Sequence, residues 1–233
     1  MPSAGSTRMI EELVTIDAPQ GPMRAHLARL DERARPAVIV LEGVYGFDDE
    51  IKRITDQVAS SGYVGLAIDY LRGGDAKSVF NSKNVCEDVA AARDWLNAQP
   101  FVRHGKIATW GFGFGGTAAF LASTLPGLAG AIAFYGQSIA RPIPGTDGKP
   151  ALDEIDEVRV PLLLVFGGHD EQIGPTEIAT IRDRLTAKHV NFEIEVYPEV
   201  GHSFFREDLG TIATRQIADA WGRVQSFLRR SLA

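Results

Sequence analysis

The 233-residue chain has a single cysteine, Cys86, which excludes an internal disulfide and any multi-cysteine metal site. With thiols so sparse, a reducing compartment is expected and the protein is read as cytoplasmic. No apolar run approaches the roughly 18 residues that a membrane span needs. Met1 to Arg8 lack the apolar stretch of a secretory signal and are expected to be disordered. Basic residues are outnumbered, 24 Lys and Arg against 30 Asp and Glu, for a net charge of -6, which argues against the basic face of a nucleic-acid binder. No His-x-x-x-His pair and no acid cluster has ligand spacing, so no metal is expected, and no organic cofactor either. Repeats and low-complexity segments are absent.

What is present is an alternation of short apolar runs with helical periodicity. At 45% hydrophobic and 23% charged residues the composition suits one large domain, taken as residues 9–233. Ile10 to Ile16 and Met23 to Leu30 alternate around Pro19-Gln20-Gly21-Pro22, which predicts an antiparallel hairpin at a sheet edge. Ala37 to Leu41, Val64 to Ile68, the run ending at Trp110, Leu128 to Tyr135 and Pro161 to Phe166 are continuous apolar stretches, as in parallel strands covered on both faces. Phe192 to Tyr197 alternates as a further strand. Between them fall helical patterns: Ile51, Ile54 and Val58 on one face, then Ser82 to Ala98, Pro175 to Lys188, and about Thr211 to Leu228. Residues 139–159, rich in proline, glycine and acids, read as an irregular, lid-like loop. The prediction is a doubly wound, mostly parallel α/β sheet with helices on both faces and no separate large cap domain. Ligands of such sheets bind beyond the carboxyl ends of the strands.

One strand end stands out. Trp110 leads into Gly111-Phe112-Gly113-Phe114-Gly115-Gly116 and then a helix of small residues. This is the outline of a nucleophile elbow, Gly-x-nucleophile-x-Gly, whose middle residue rises above the sheet on a strained turn. Here that residue is Gly113, so the turn is present without an attacking atom. Gly111, Gly113 and Gly116 also satisfy a Gly-x-Gly-x-x-Gly dinucleotide loop, but the segment from Leu128 to Tyr135 lacks the acid such a loop needs. Two other strand ends complete the pattern: Gly167-Gly168-His169-Asp170 and Gly201-His202-Ser203. Nucleophile position, acid, histidine is the chain order of α/β-hydrolases. His202 can exchange a proton near neutral pH, and Asp170 would fix its tautomer. His26, His104, His169 and His189 are given no role.

The chain resembles the dienelactone hydrolase family over nearly its whole length. The resemblance is carried by Val38 to Gly46, Asp69-Tyr70-Leu71-Arg72, Gly111 to Gly116, Gly167 to Asp170 and Gly201 to Arg206. It implies an α/β-hydrolase fold and a Cys-His-Asp triad acting on small lactones or esters, often bearing a carboxylate. Asp170 and His202 fall on the acid and base positions, and Arg206 on a position where the family holds a substrate carboxylate. Two departures stand beside the matches. Gly113 replaces the nucleophilic cysteine, and Gly43 replaces the glutamate that partners the resting thiol, with Glu42 one residue earlier.

Three mechanisms follow. His202 with Asp170 could activate water, with the oxyanion held by the backbone N–H groups of Phe114 and Val44. The same groups could abstract a proton beside a carbonyl, giving an isomerase, lyase or cyclase. Or the site is vestigial, and the protein binds a small carboxylate without turning it over. Arg206, Glu42, Gly43, Tyr45 and Ser138 are expected to contact the small-molecule substrate. Cys86 and Ser138 are the substitute nucleophiles to test, and Ser203 is read as a turn residue. Tyr45, Phe47, Tyr70, Phe112 and Phe114 are expected near the pocket. The protein is expected to be a monomer or homodimer.

Overall fold

In the computed structural model, residues 9–142, 149–207 and 213–233 are described. The expected disordered start, the middle of the lid-like loop and the first residues of the last predicted helix lie outside them. Strands β1 (Ile10–Ile16) and β2 (Met23–Arg29) form the expected hairpin, in antiparallel register from Ile10 opposite Arg29 to Ile16 opposite Met23. Then β3 (Arg35–Leu41), α1 (Asp49–Ser60), β4 (Val64–Ile68), the short α2 (Ala76–Val79), α3 (Ser82–Asn97), β5 (Val102–Phe112) and α4 (Phe114–Ala122) follow in order. The chain continues with β6 (Gly130–Phe134), a 3-10 helix (Ala151–Glu157), β7 (Leu162–Gly167), α5 (Pro175–Ala187), β8 (Phe192–Tyr197) and α6 (Thr214–Ser231).

The eight strands form one sheet in the order β1-β2-β4-β3-β5-β6-β7-β8. β2 pairs antiparallel with β4, and every pairing from β4 across to β8 is parallel. The chain winds outward from β3 to β4 and then returns to place β5 on the other side of β3. That reversal opens a crevice at the carboxyl ends of β3 and β5, where ligands of doubly wound sheets bind.

Burial explains the strands' composition. Ala37, Val38, Ile39, Val40 and Leu41 of β3 are fully buried, since helices cover both faces of a parallel sheet. Each larger side chain so placed contributes on the order of 1.5–3 kcal/mol. α6 covers one face: Trp221 stacks on Trp110 of β5 at 5.5 Å, and Phe227 and Leu228 are buried beside it. Asp48 caps α1, its carboxylate accepting from the Ile51 N–H at 3.0 Å.

Two readings are corrected. The segment 139–159 is not irregular throughout: its 3-10 helix buries Ala151, Leu152 and Ile155, packing against α4 and α5. Its acids, Asp153, Glu154, Asp156 and Glu157, occupy the outer side of that helix and mask the buried apolar residues in the sequence pattern. The strand expected from Leu128 begins at Gly130, where a Cβ would meet Phe227 at 2.9 Å.

Candidate active site

β5 runs into Gly113, and α4 starts at the next residue. Gly113 has φ 58 and ψ -117, the left-handed side of backbone space that L side chains rarely occupy. The neighbouring glycines have a different cause. A Cβ would stand 1.8 Å from the Gly115 carbonyl at Gly111, 2.2 Å from the Leu41 carbonyl at Gly115, and 2.7 Å from the Phe134 carbonyl at Gly116. Those three are the price of strand, helix and loop approaching backbone to backbone. Gly113 has space: the nearest atom to a Cβ there is His202 Nε2, at 3.9 Å. A side chain at this position would face the imidazole, which favours the elbow over the dinucleotide loop.

The acid and base are assembled as their positions after β7 and β8 predict. His202 Nδ1 lies 2.7 Å from Asp170 Oδ2, and Asp170 Oδ1 accepts from the N–H groups of Gln172 at 2.8 Å and Ile173 at 3.1 Å. Asp170 is buried and acceptor-only when ionised, so Nδ1 carries the proton and Nε2 presents a lone pair to the elbow. The Tyr135 ring packs edge-on against the imidazole at 5.1 Å.

Sequence reasoning missed the residue on that lone pair. Gln137, after β6, places its amide nitrogen 3.1 Å from His202 Nε2 and also donates to Gln172 Oε1. With Nε2 as an acceptor, this orientation turns the amide nitrogen toward it and leaves Gln172 to match with its own amide. The backbone of Gln137 is tied to the elbow, its N–H reaching the Gly113 carbonyl at 3.4 Å and its carbonyl accepting from the Thr117 hydroxyl. The available signal is its place at a strand end, one residue before Ser138. Ser138, however, is buried with φ 63, its carbonyl accepts from Ala151 N–H at 3.3 Å, and it does not line the cleft. The turn rotates it away.

The cleft is lined by Gly43, Val44, Tyr45, Phe112, Gly113, Tyr135, Gln137, His202, Ser203 and Arg206, floored on one side by Ile51 and Ile54 of α1. About 20 Å³ of it admits a water-sized sphere, within some 350 Å³ of unfilled space that includes the open mouth. Phe114 N–H belongs to the first turn of α4, where N–H groups have no acceptor within the helix, and Val44 sits on the facing loop after β3. Gly43 is itself a close-approach glycine, since a Cβ would stand 2.6 Å from the Phe112 carbonyl. No glutamate fits there on this backbone.

Other expected contacts are displaced. Glu42 is fully buried and turned away from the cleft, one oxygen accepting from Leu71 N–H at 3.2 Å. Burial, and then the charge of Asp69, push its carboxyl up to about 8. Arg206 does line the cleft, but it is buried, donates to Asp48 Oδ2 at 2.6 Å and lies over the Tyr45 ring at 4.3 Å. Of the five aromatics expected near the pocket, Tyr45 and Phe112 line it. Phe114 packs on Phe80 at 5.5 Å, Tyr70 meets the same ring at 6.3 Å, and Phe47 lies under Arg24 at 5.8 Å. Cys86 lines a separate, larger cavity of about 410 Å³ between α3 and the 3-10 helix. Burial pushes its thiol up to about 11, which leaves it unsuited as a nucleophile at neutral pH. Glu11, His26 and Asp56, on β1, β2 and α1, have ligand-type atoms within 4.8 Å of one another. His26 is bonded to Asp56 at 2.7 Å there, and the trio shares no residue with the cleft.

A mostly parallel sheet, an elbow between β5 and α4, and a histidine and aspartate delivered by the last two strand ends define an α/β-hydrolase. More narrowly, the model of the dienelactone hydrolase family matches residues 23–232, and the chain belongs to that family. It is 30% identical over 231 residues to a Yersinia pestis protein provisionally named carboxymethylenebutenolidase, covering 90% of this chain and 84% of the relative. A Bradyrhizobium protein provisionally named 2-oxo-3-(5-oxofuran-2-ylidene)propanoate lactonase is 30% identical over 223 residues, covering 88% of each chain. Among solved structures, a provisionally assigned dienelactone hydrolase of Klebsiella pneumoniae superposes with a TM-score of 0.85 at 23% identity, covering 95% of this chain and 99% of its own.

Proposed function

We propose that the protein hydrolyses small lactones or esters, with His202 and Asp170 activating water directly rather than a side-chain nucleophile. The observation that carries this reading is the space at Gly113, where the position of a first side-chain atom is 3.9 Å from His202 Nε2. Water can use this space, and it reaches the base once it sits nearer Nε2 than a Cβ would, at hydrogen-bond distance. His202 Nε2 takes a proton from that water as its oxygen adds to the carbonyl carbon. The resulting oxyanion faces the Phe114 and Val44 N–H groups at the positive end of α4. As the carbon–oxygen bond breaks, Nε2–H returns the proton to the leaving oxygen, and Asp170 balances the imidazolium between the two transfers. Gln137 must release Nε2 before water can use it. The names of the Yersinia and Bradyrhizobium relatives support a lactone as substrate.

Triads stripped of a member retain roughly 10³ to 10⁴-fold catalysis from the oxyanion hole and binding, so slow turnover is expected. A panel of aryl esters and small lactones run beside His202→Ala tests it: the variant should lose on the order of a hundredfold. Equal rates in the two proteins would remove His202 from the chemistry. The Gln137 amide on Nε2 favours one second reading, a ligand-binding protein whose base is held shut; that protein would bind ligand equally well with His202 or alanine.

A further inference from the structure

One polar group on the cleft wall has no hydrogen-bond partner among the described residues. Tyr135, at the end of β6, is only 1% exposed, lines the cleft, and its hydroxyl has no hydrogen-bond partner. Its backbone adopts φ 38, a conformation unfavourable for a bulky L residue. Buried hydroxyls are almost always paired, and an unpaired one destabilises the fold. Burial above all raises the phenol's pKa, so the group is an O–H donor.

Arg206 is the opposite case. Its guanidinium donates to Asp48 Oδ2 at 2.6 Å and is covered by the Tyr45 ring. The acids near it are already held, Asp48 by Arg206 itself, Glu50 by Arg53 at 2.8 and 2.9 Å, and Asp170 by His202. A ligand carboxylate reaching Arg206 would have to displace Asp48 and then stand near Glu50 and the displaced group. Two carboxylates side by side repel. Val44, Ile51, Ile54 and Phe112 supply the remaining wall, which suits an uncharged body.

We propose that the cleft binds a small uncharged carbonyl compound, an ester or lactone without a carboxylate, through a hydrogen bond donated by the Tyr135 hydroxyl to one of its oxygens. Arg206 then braces the wall through Asp48 instead of anchoring the ligand. The inference rests on the cleft being the substrate site proposed above and narrows its substrate class. Entry of a ring-sized ligand requires Tyr45 and Val44 to swing out; they are 50% and 43% exposed at the mouth.

Two lactams that share one ring and resist hydrolysis provide the test: 2-pyrrolidinone, which is neutral, and 5-oxoproline, which adds a carboxylate. Binding is followed by NMR titration of the wild type and Tyr135→Phe. The neutral lactam should bind about tenfold or more tightly than its acid partner. Tyr135→Phe should weaken the neutral lactam about fivefold while raising the thermal midpoint by several degrees, because the unpaired hydroxyl is gone. A merely structural tyrosine would not move these two readouts in opposite directions. Equal or tighter binding of 5-oxoproline, undiminished binding by Tyr135→Phe, or no binding of either lactam at the highest soluble concentration overturns the proposal. Because no turnover is needed, binding that depends on Tyr135 in a protein that hydrolyses nothing sinks only the hydrolase reading. Hydrolysis that favours carboxylate-bearing esters does the reverse.

Discussion

Glutamine in place of Glu42 should make the protein more stable, and by an amount that grows with pH. The Glu42 carboxyl titrates at about 8 in the folded protein against an ordinary value of 4.5, first because it is buried and then because Asp69 lies beside it. A group raised on folding contributes stability that is fully present below its unfolded value and is lost as pH climbs to the folded one. The loss is about 1.4 kcal/mol per pH unit in that window. It amounts to roughly 3 kcal/mol by pH 7 and about 5 kcal/mol by pH 9, after which it levels off. Glu42→Gln keeps the oxygen that accepts from Leu71 N–H, and puts an uncharged amide nitrogen, a donor, beside Asp69. Urea unfolding of both proteins near pH 5, 7 and 9 gives the difference directly. It should rise by about 2.5 kcal/mol between the first two conditions and by a smaller step between the last two. A difference constant across the series would refute the argument that Glu42 pays for its burial by holding a proton.

Two further substitutions address the elbow. Gly113→Ser places a hydroxyl facing His202 Nε2 at a cost of about 1–2 kcal/mol for its positive φ. With an activated aryl ester it should yield a covalent acyl-enzyme, seen as a mass increase that vanishes in Gly113→Ser/His202→Ala. An unmodified mass throughout would mean that the turn does not aim this position at the base. Gln137→Ala removes the amide from Nε2, so ester hydrolysis should rise about fivefold, the worth of one hydrogen bond near 1 kcal/mol. A fall in rate would show instead that Gln137 helps to hold substrate or water.

Much of the fold was legible because the signals are local. The continuous run at Ala37–Leu41 and the periodic apolar face of Ser82–Asn97 each report their own burial, and short connections leave few ways to wind such units. The elbow and the strand-end positions of Asp170 and His202 were legible for the same reason, since each needs only its own turn. The 3-10 helix at Ala151–Glu157 was not: seven residues with acids on one side show too little period to distinguish it from a loop.

What the sequence determined by itself was the alternation of strands and helices, the absence of a side chain at Gly113, and the strand-end positions and chain order of Asp170 and His202. Tertiary structure alone decided which neighbours face the cleft. Gln137 and not Ser138 meets His202, Glu42 turns into the core, Arg206 is held by Asp48 from the start of α1, and the Tyr135 hydroxyl finds no hydrogen-bond partner among the described residues. These outcomes depend on the rotation of each turn past its strand and on groups far apart in the chain, such as Asp48 and Arg206. A period of two or 3.6 residues carries no information about either.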